Sequence, residues 1–187
     1  QFIIVTAEGY NNSMWADSKS GHKPAETNVI KELIPYIDAN YRTLNDRRHR
    51  AITGFSMGGF GAVEYSSKYP ELFSLCVNLD GALHTPATLS STHADIFMEM
   101  FGNDFAYYAN YDPYTNTAAN AEVLGSTVTT LTLVGTLTDY NSRYKNHRNA
   151  QGIPIPDSLY IETGCGHEKP CLLESYDVFG FLTSRMD

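Results

Sequence analysis

The sequence predicts an α/β protein: a mostly parallel sheet with helices on both faces. Two observations carry this. Short apolar runs of the kind that form buried strands alternate with segments whose apolar residues recur at helical spacing, and that alternation requires crossover connections between parallel strands. A glycine-rich stretch, "AITGFSMGGFGA" at residues 51–62, falls at one strand-to-helix junction. At 187 residues the chain suits one domain, 1–187, with one sizeable core.

The elements follow in order. Phe2–Thr6 reads as a short buried strand, and Glu8–Ala25 as a loop rich in turn-forming Gly, Asn and Ser. Val29, Ile30, Leu33, Ile34, Ile37 and Tyr41 recur at helical spacing, so Glu26–Tyr41 is expected to be an amphipathic helix that Pro35 bends or deprives of a backbone bond. Arg50–Phe55 is the next strand, Met57–Lys68 a helix stopped by Tyr69-Pro70, and Leu72–Leu79 an apolar strand. Residues 81–127 are less regular, with short helices expected near 93–101 and 117–124. Val128–Val134 alternates Thr with apolar residues as a strand does. Asn141–Gln151 is expected as a helix, Ser158–Glu162 as a strand and Leu172–Thr183 as the closing helix.

Composition narrows the function classes. With 13 Lys and Arg against 21 Asp and Glu, the net charge of −8 argues against nucleic acid and anionic membranes as partners. No stretch approaches the roughly 20 apolar residues of a membrane span. Of three cysteines, Cys165 and Cys171 are close enough to form a small loop disulfide, whereas Cys76 lies in an apolar run and is expected to be buried. No second ligand pair accompanies them, so zinc is not expected; no cofactor is expected. Asn11-Asn12-Ser13 matches a glycosylation sequon.

In parallel sheets of this kind ligands bind at the carboxyl ends of the strands. There Gly54-Phe55-Ser56-Met57-Gly58 fits G-x-S-x-G. Glycine costs about 0.5–1 kcal/mol at an interior position, so four in eight residues need a reason. A nucleophile supplies one. The turn lifts the Ser56 hydroxyl above the sheet, and the helix that begins at Met57 aims its free N–H groups and dipole at the reacting carbon. The Met57 amide is the expected oxyanion donor.

Such a serine needs a base and an acid, in the chain order Ser, Asp or Glu, His. His167, in "GCGH" directly after the last predicted strand, is the expected base. His49 precedes a strand, at the wrong end of the sheet; His147 lies in a polar helix; His84 and His93 fall where they could line the cleft. Asp139, in "LVGTLTDYN" after Val128–Val134, is the expected acid. Asp80, which ends the strand after the nucleophile helix, is the alternative. Trp15 falls at the active-site end, where it could stack on a sugar or phenolic ring or pack in the core. Protonation of the imidazole should lower the rate on the acidic side of neutrality.

With these positions in hand the chain resembles the esterase D-like branch of the α/β-hydrolase fold. That branch includes feruloyl and acetylxylan esterases (carbohydrate esterase family 1), S-formylglutathione hydrolases and mycolyl transferases. The resemblance rests on "FIIVTAEGY" with "SMWADS", "ETNVIKELIPYIDANYRT", "RRHRAITGFSMGGFGAVEYSSKYPELF", "LVGTLTDYN" and "GCGH". It implies Ser56 as nucleophile, His167 as base and Asp139 as acid, although relatives often carry the acid at the position held here by Thr138. Relatives also begin with additional strands and take a second oxyanion donor from a loop after one of them. This chain opens on the strand that would follow that loop, so the sheet is expected to lack its first strands and to expose an edge. Either the sequence is a fragment or another segment replaces the donor. The implied function is a secreted carboxylic-ester hydrolase acting on feruloyl or acetyl groups of plant polysaccharide. The alternatives are a cytoplasmic thioesterase of the S-formylglutathione type and a non-catalytic binding module.

Overall fold

In the computed structural model, which describes residues 2–186, four parallel strands form one sheet in the order β1-β2-β3-β4. They are β1 (Ala51–Phe55), β2 (Leu75–Leu79), β3 (Thr129–Val134) and β4 (Tyr160–Glu162). Spatial order equals chain order, so each strand continues the ladder begun by the one before it. The parallel sheet flanked by helices that the sequence predicts is present.

The strand period of two divides the core. Leu75, Val77, Leu79, Leu131 and Leu133 face one side and pack with Ile155, Leu159, Leu172 and Phe181. Cys76 faces the other side, where Phe60, Ala62 and Val63 of the helix Met57–Lys68 join Phe97, Met100, Phe101 and Tyr108. Fully burying one such Leu, Val or Phe side chain contributes about 1.5–3 kcal/mol. β2 is buried at all five positions because it lies inside the sheet with both faces covered.

Several sequence expectations hold and several are corrected. The helix Met57–Lys68 has the expected bounds. Cys76 is buried and free, and burial pushes its thiol up to about 11. Residues 25–40 form the expected helix, but its middle, Asn28–Leu33, is a π-helix. There the Ile34 N–H reaches back five residues to the Val29 carbonyl, a widened turn directly before Pro35, which has no N–H to give. Phe2–Thr6 is not a strand: it has no ladder partner, and Ile3, Ile4 and Val5 are exposed. An apolar run forms a strand only where a neighbour pairs with it, and among the described residues none lies beside this one. The closing helix is two short ones, Lys169–Glu174 and Val178–Thr183; the Asp177 side chain caps the second by accepting the Gly180 N–H. The expected helix near 117–124 is likewise split into Pro113–Ala119 and Ala121–Thr127 at Asn120, whose side chain donates to the Ser67 carbonyl. No helix of the described residues is long and apolar enough to cross a membrane.

The end of β1 and the start of the helix Met57–Lys68 approach each other closely. A Cβ on Gly54 would lie 2.0 Å from the Gly58 carbonyl oxygen, which is backbone and cannot yield. A Cβ on Gly58 would meet only Trp15 Nε1, at 4.0 Å. Urea denaturation should therefore separate the two. Gly54→Ala is expected to cost at least about 2 kcal/mol, and Gly58→Ala to change stability by about 1 kcal/mol or less.

Candidate active site

Three residues, each just beyond a strand, meet over the carboxyl rim of the sheet. Ser56 follows β1 and sits at φ 57° and ψ −116°, a conformation that costs a side-chain-bearing residue about 1–3 kcal/mol. Backbone bonds hold it there. Its N–H donates to the Leu79 carbonyl at 3.0 Å, and its own carbonyl accepts the N–H groups of Phe60 and Ala82 at 3.1 and 3.0 Å. Asp80 follows β2, also at positive φ (46°), with its N–H on the Leu133 carbonyl at 2.7 Å. The next residue, Gly81, is fixed by Asn78, whose Oδ1 accepts the Gly81 N–H at 2.9 Å, while Asn141 Nδ2 donates to the Gly81 carbonyl at 3.1 Å.

The side chains then form one line. His167 Nε2 lies 2.8 Å from Ser56 Oγ, and His167 Nδ1 lies 2.7 Å from Asp80 Oδ2. A carboxylate only accepts, so the ring proton belongs on Nδ1. That leaves Nε2 to accept the Ser56 hydroxyl proton. Asp80 is fully buried. Burying an unpaired carboxylate costs several kcal/mol, but this one also accepts the N–H groups of Gly135, Thr136 and Leu137 at 2.9, 3.1 and 3.1 Å. Bonds to a charged group contribute about 1.5–3 kcal/mol each, so the cradle offsets the burial. The Phe55 ring lies 4.5 Å from the imidazole, centroid to centroid, and limits its swing.

Asp80, the alternative acid, therefore occupies the position that the sequence assigned to Asp139. Asp139 is exposed in the first turn of the helix Thr138–Ala150, and the partner of His167 Nδ1 is Asp80. The reason is geometric. The turn after β3 spends Gly135, Thr136 and Leu137 on binding the Asp80 carboxylate, and the helix has begun before residue 139 is reached. Signals for this arrangement were the Asp80-Gly81 pair at a strand end, where a positive-φ turn is common, and the buried Asn78 that orients it.

The remaining candidates fall as follows. Met57 is the first residue of its helix, adjacent to Ser56, so its N–H has no acceptor within the helix. Trp15 lies half-buried against that helix. Its indole fills the space left by Gly61 and Gly9, meets Tyr65 edge-on at 6.4 Å, and buries Nε1 without an acceptor. His49 binds Asp46 at the far end of β1. His147 is half-buried and bonds the Tyr114 carbonyl through Nε2, so it is held by structure. His84 is buried beside His93 and Tyr140, and burial lowers its ring to about 4. In the sequon, Asn11 is exposed but Ser13 is fully buried, its hydroxyl accepting the Trp15 N–H. Cys165 and Cys171 are joined as a disulfide around His167. Among the described residues no three His, Cys, Asp or Glu side chains cluster as a metal ion would need.

A strand-turn-helix serine, a histidine after the last strand and a carboxylate on the same sheet rim define a site of the α/β-hydrolase class. Comparison with known families agrees: residues 4–152 match the putative esterase family, and the chain belongs to it, as an esterase D-like α/β-hydrolase. An esterase of Mycobacterium tuberculosis is 43% identical over 70 residues, covering 36% of this chain and 15% of that protein. An endo-1,4-beta-xylanase/feruloyl esterase of Xylanibacter ruminicola is 35% identical over 95 residues, covering 50% of this chain and 13% of that protein. A ferulic acid esterase structure superposes with a TM-score of 0.73 at 23% identity, over 92% of this chain and 65% of that one. The chain thus spans a small part of the curated relatives it matches and about two thirds of that solved structure.

The two acids are separable by substitution. With a nitrophenyl acetate assay, Asp80→Asn is expected to lower kcat by about 10³–10⁴, since it offers the wrong partner to Nδ1. Asp139→Asn is expected to leave kcat within about twofold, as for an exposed surface group.

Proposed function

We propose that this chain is the catalytic region of a serine carboxylesterase that hydrolyses acyl esters through an acyl-enzyme, with Ser56 as nucleophile, His167 as base and Asp80 as the orienting acid. The observation that carries this reading is the unbroken line Ser56 Oγ, His167 Nε2, His167 Nδ1, Asp80 Oδ2, with both contacts below 2.9 Å.

Ser56 Oγ attacks the ester carbonyl carbon while its proton passes to His167 Nε2. The negative charge on the carbonyl oxygen is held by the Met57 N–H, aided by the helix dipole; one such donor is worth about 3–4 kcal/mol in the transition state. The buried Asp80 carboxylate stabilises the imidazolium that forms. Collapse breaks the ester C–O bond, and the alcohol leaves with the proton from Nε2. Water then gives a proton to Nε2 and attacks the acyl carbon, which releases the acid and returns the proton to Ser56 Oγ. These residues need no cofactor for either half of the cycle.

The substrate in this reading is a feruloyl or acetyl group on plant polysaccharide. It is supported by the feruloyl esterase names of the Xylanibacter relative and of the superposing structure, and the site is open: His167 is exposed at the rim, as a bulky polysaccharide ester requires. A secreted setting fits the Cys165–Cys171 disulfide, which persists in oxidising compartments.

Mass spectrometry after fluorophosphonate treatment should find the adduct on Ser56 and none on a Ser56→Ala variant; an unlabelled wild-type protein would leave a binding module. Turnover should favour methyl ferulate or acetylated xylan over a glutathione thioester, and the reverse preference would overturn the polysaccharide assignment.

A further inference from the structure

Ser56 and Asp80 are placed by the sheet, since the N–H of each extends the ladder onto the neighbouring strand. His167 is not. It lies four residues beyond the last ladder bond of its segment, from the Thr163 N–H to the Val134 carbonyl, in a stretch where Gly164, Gly166, His167 and Glu168 are all exposed. The backbone bonds inside the stretch are local ones: Cys165 N–H to Thr163 Oγ1 at 3.1 Å and Glu168 N–H to the Gly166 carbonyl at 2.8 Å. Gly164, at φ 71°, offers a hinge at its start. An exposed segment held by few bonds of this kind opens locally at low cost.

The Cys165–Cys171 bond closes a ring around that stretch, six residues apart with the Cα atoms separated by 6.0 Å, and His167 is inside it. Both ends are anchored. Cys165 packs on the cluster formed by the leucines of β2 and β3. Cys171 lies in the helix Lys169–Glu174 next to Leu172, which is fully buried in the same cluster. Both cysteines are half-buried, so a small reductant can reach them.

We propose that this disulfide is a positioning clamp for the imidazole of His167, and that a dithiol reductant lowers turnover reversibly by opening it. The inference rests on the serine-esterase reading above. In the reaction a thiolate of the reductant attacks one cystine sulfur, its second thiol resolves the mixed disulfide, and two electrons and two protons pass to the protein to give two thiols while the reductant becomes a cyclic disulfide. The freed segment then samples positions in which Nε2 has left the Ser56 hydroxyl. A misplacement of about 1 Å at a reacting group can cost on the order of 100-fold in rate.

The test compares oxidised and dithiothreitol-reduced protein, with the state of the cysteines verified by mass and the fold by circular dichroism. Reduction should lower kcat about tenfold or more while KM stays within about twofold, and reoxidation should restore it. The low-field proton resonance of the His167 Nδ1–H on Asp80 should be sharp in the oxidised protein and broadened or lost in the reduced one. A Cys165→Ser/Cys171→Ser double variant should behave as the reduced form; if it does not fold, the reduced wild-type protein supplies the comparison. Unchanged kcat together with an unchanged resonance after verified reduction overturns the clamp. Should the oxidised protein hydrolyse no ester and take no fluorophosphonate, the esterase reading falls, and the resonance alone still decides whether the disulfide holds the ring.

Discussion

The Asp80 carboxylate is the point on which the site depends. It is fully buried, and four donors reach it: three consecutive N–H groups of the turn after β3 and the Nδ1–H of His167. One group thereby ties the end of β2 to the end of β3 and to the loop after β4. The arrangement is demanding, because a buried carboxylate left with fewer partners costs several kcal/mol. It also fixes the tautomer, since an acceptor on Nδ1 leaves the bare Nε2 facing the Ser56 hydroxyl.

The backbone supports this centre at a cost in conformational freedom. Ser56 and Asp80 both adopt positive φ, and the turn after β1 is so tight that Gly54 has the Gly58 carbonyl where a Cβ would stand. The strain is held by bonds on every side: Ser56 is tied to Leu79, Phe60 and Ala82, and Gly81 to Asn78 and Asn141. Strain of this size persists only where the surroundings over-determine it. The glycines of the 51–62 stretch therefore answer to different neighbours, since Gly61 gives way to the Trp15 indole and not to Ser56.

Much of this was legible in the residues. Ser56 and His167 follow from spacing, because a strand period ending at residue 55, a helix starting at 57 and a histidine just past the last strand leave little choice about which end of the sheet they share. Which carboxylate meets the imidazole was not legible in the same way. Asp80 and Asp139 both follow a strand, and the choice turns on the backbone direction at one residue and on three amide groups, which side-chain patterns do not encode. Trp15 shows a similar limit: its place in the chain puts it near that end of the sheet, but the close fit of its indole to Gly9 and Gly61 belongs to tertiary packing. The Phe2–Thr6 segment failed for another reason. Its composition is that of a strand, yet a strand exists only with a partner. The proline at 35 announced an irregularity, and the π-helix before it is how the chain absorbs the missing N–H.

The central claim is that Asp80 acts on Ser56 only through His167, and a double-mutant cycle on kcat with a nitrophenyl ester measures that directly. Groups that work as a unit are not additive. Asp80→Asn combined with His167→Ala should cost no more than about twofold beyond His167→Ala alone. If the two losses multiply, Asp80 contributes independently of the imidazole and the hydrogen-bonded line is not the catalytic unit.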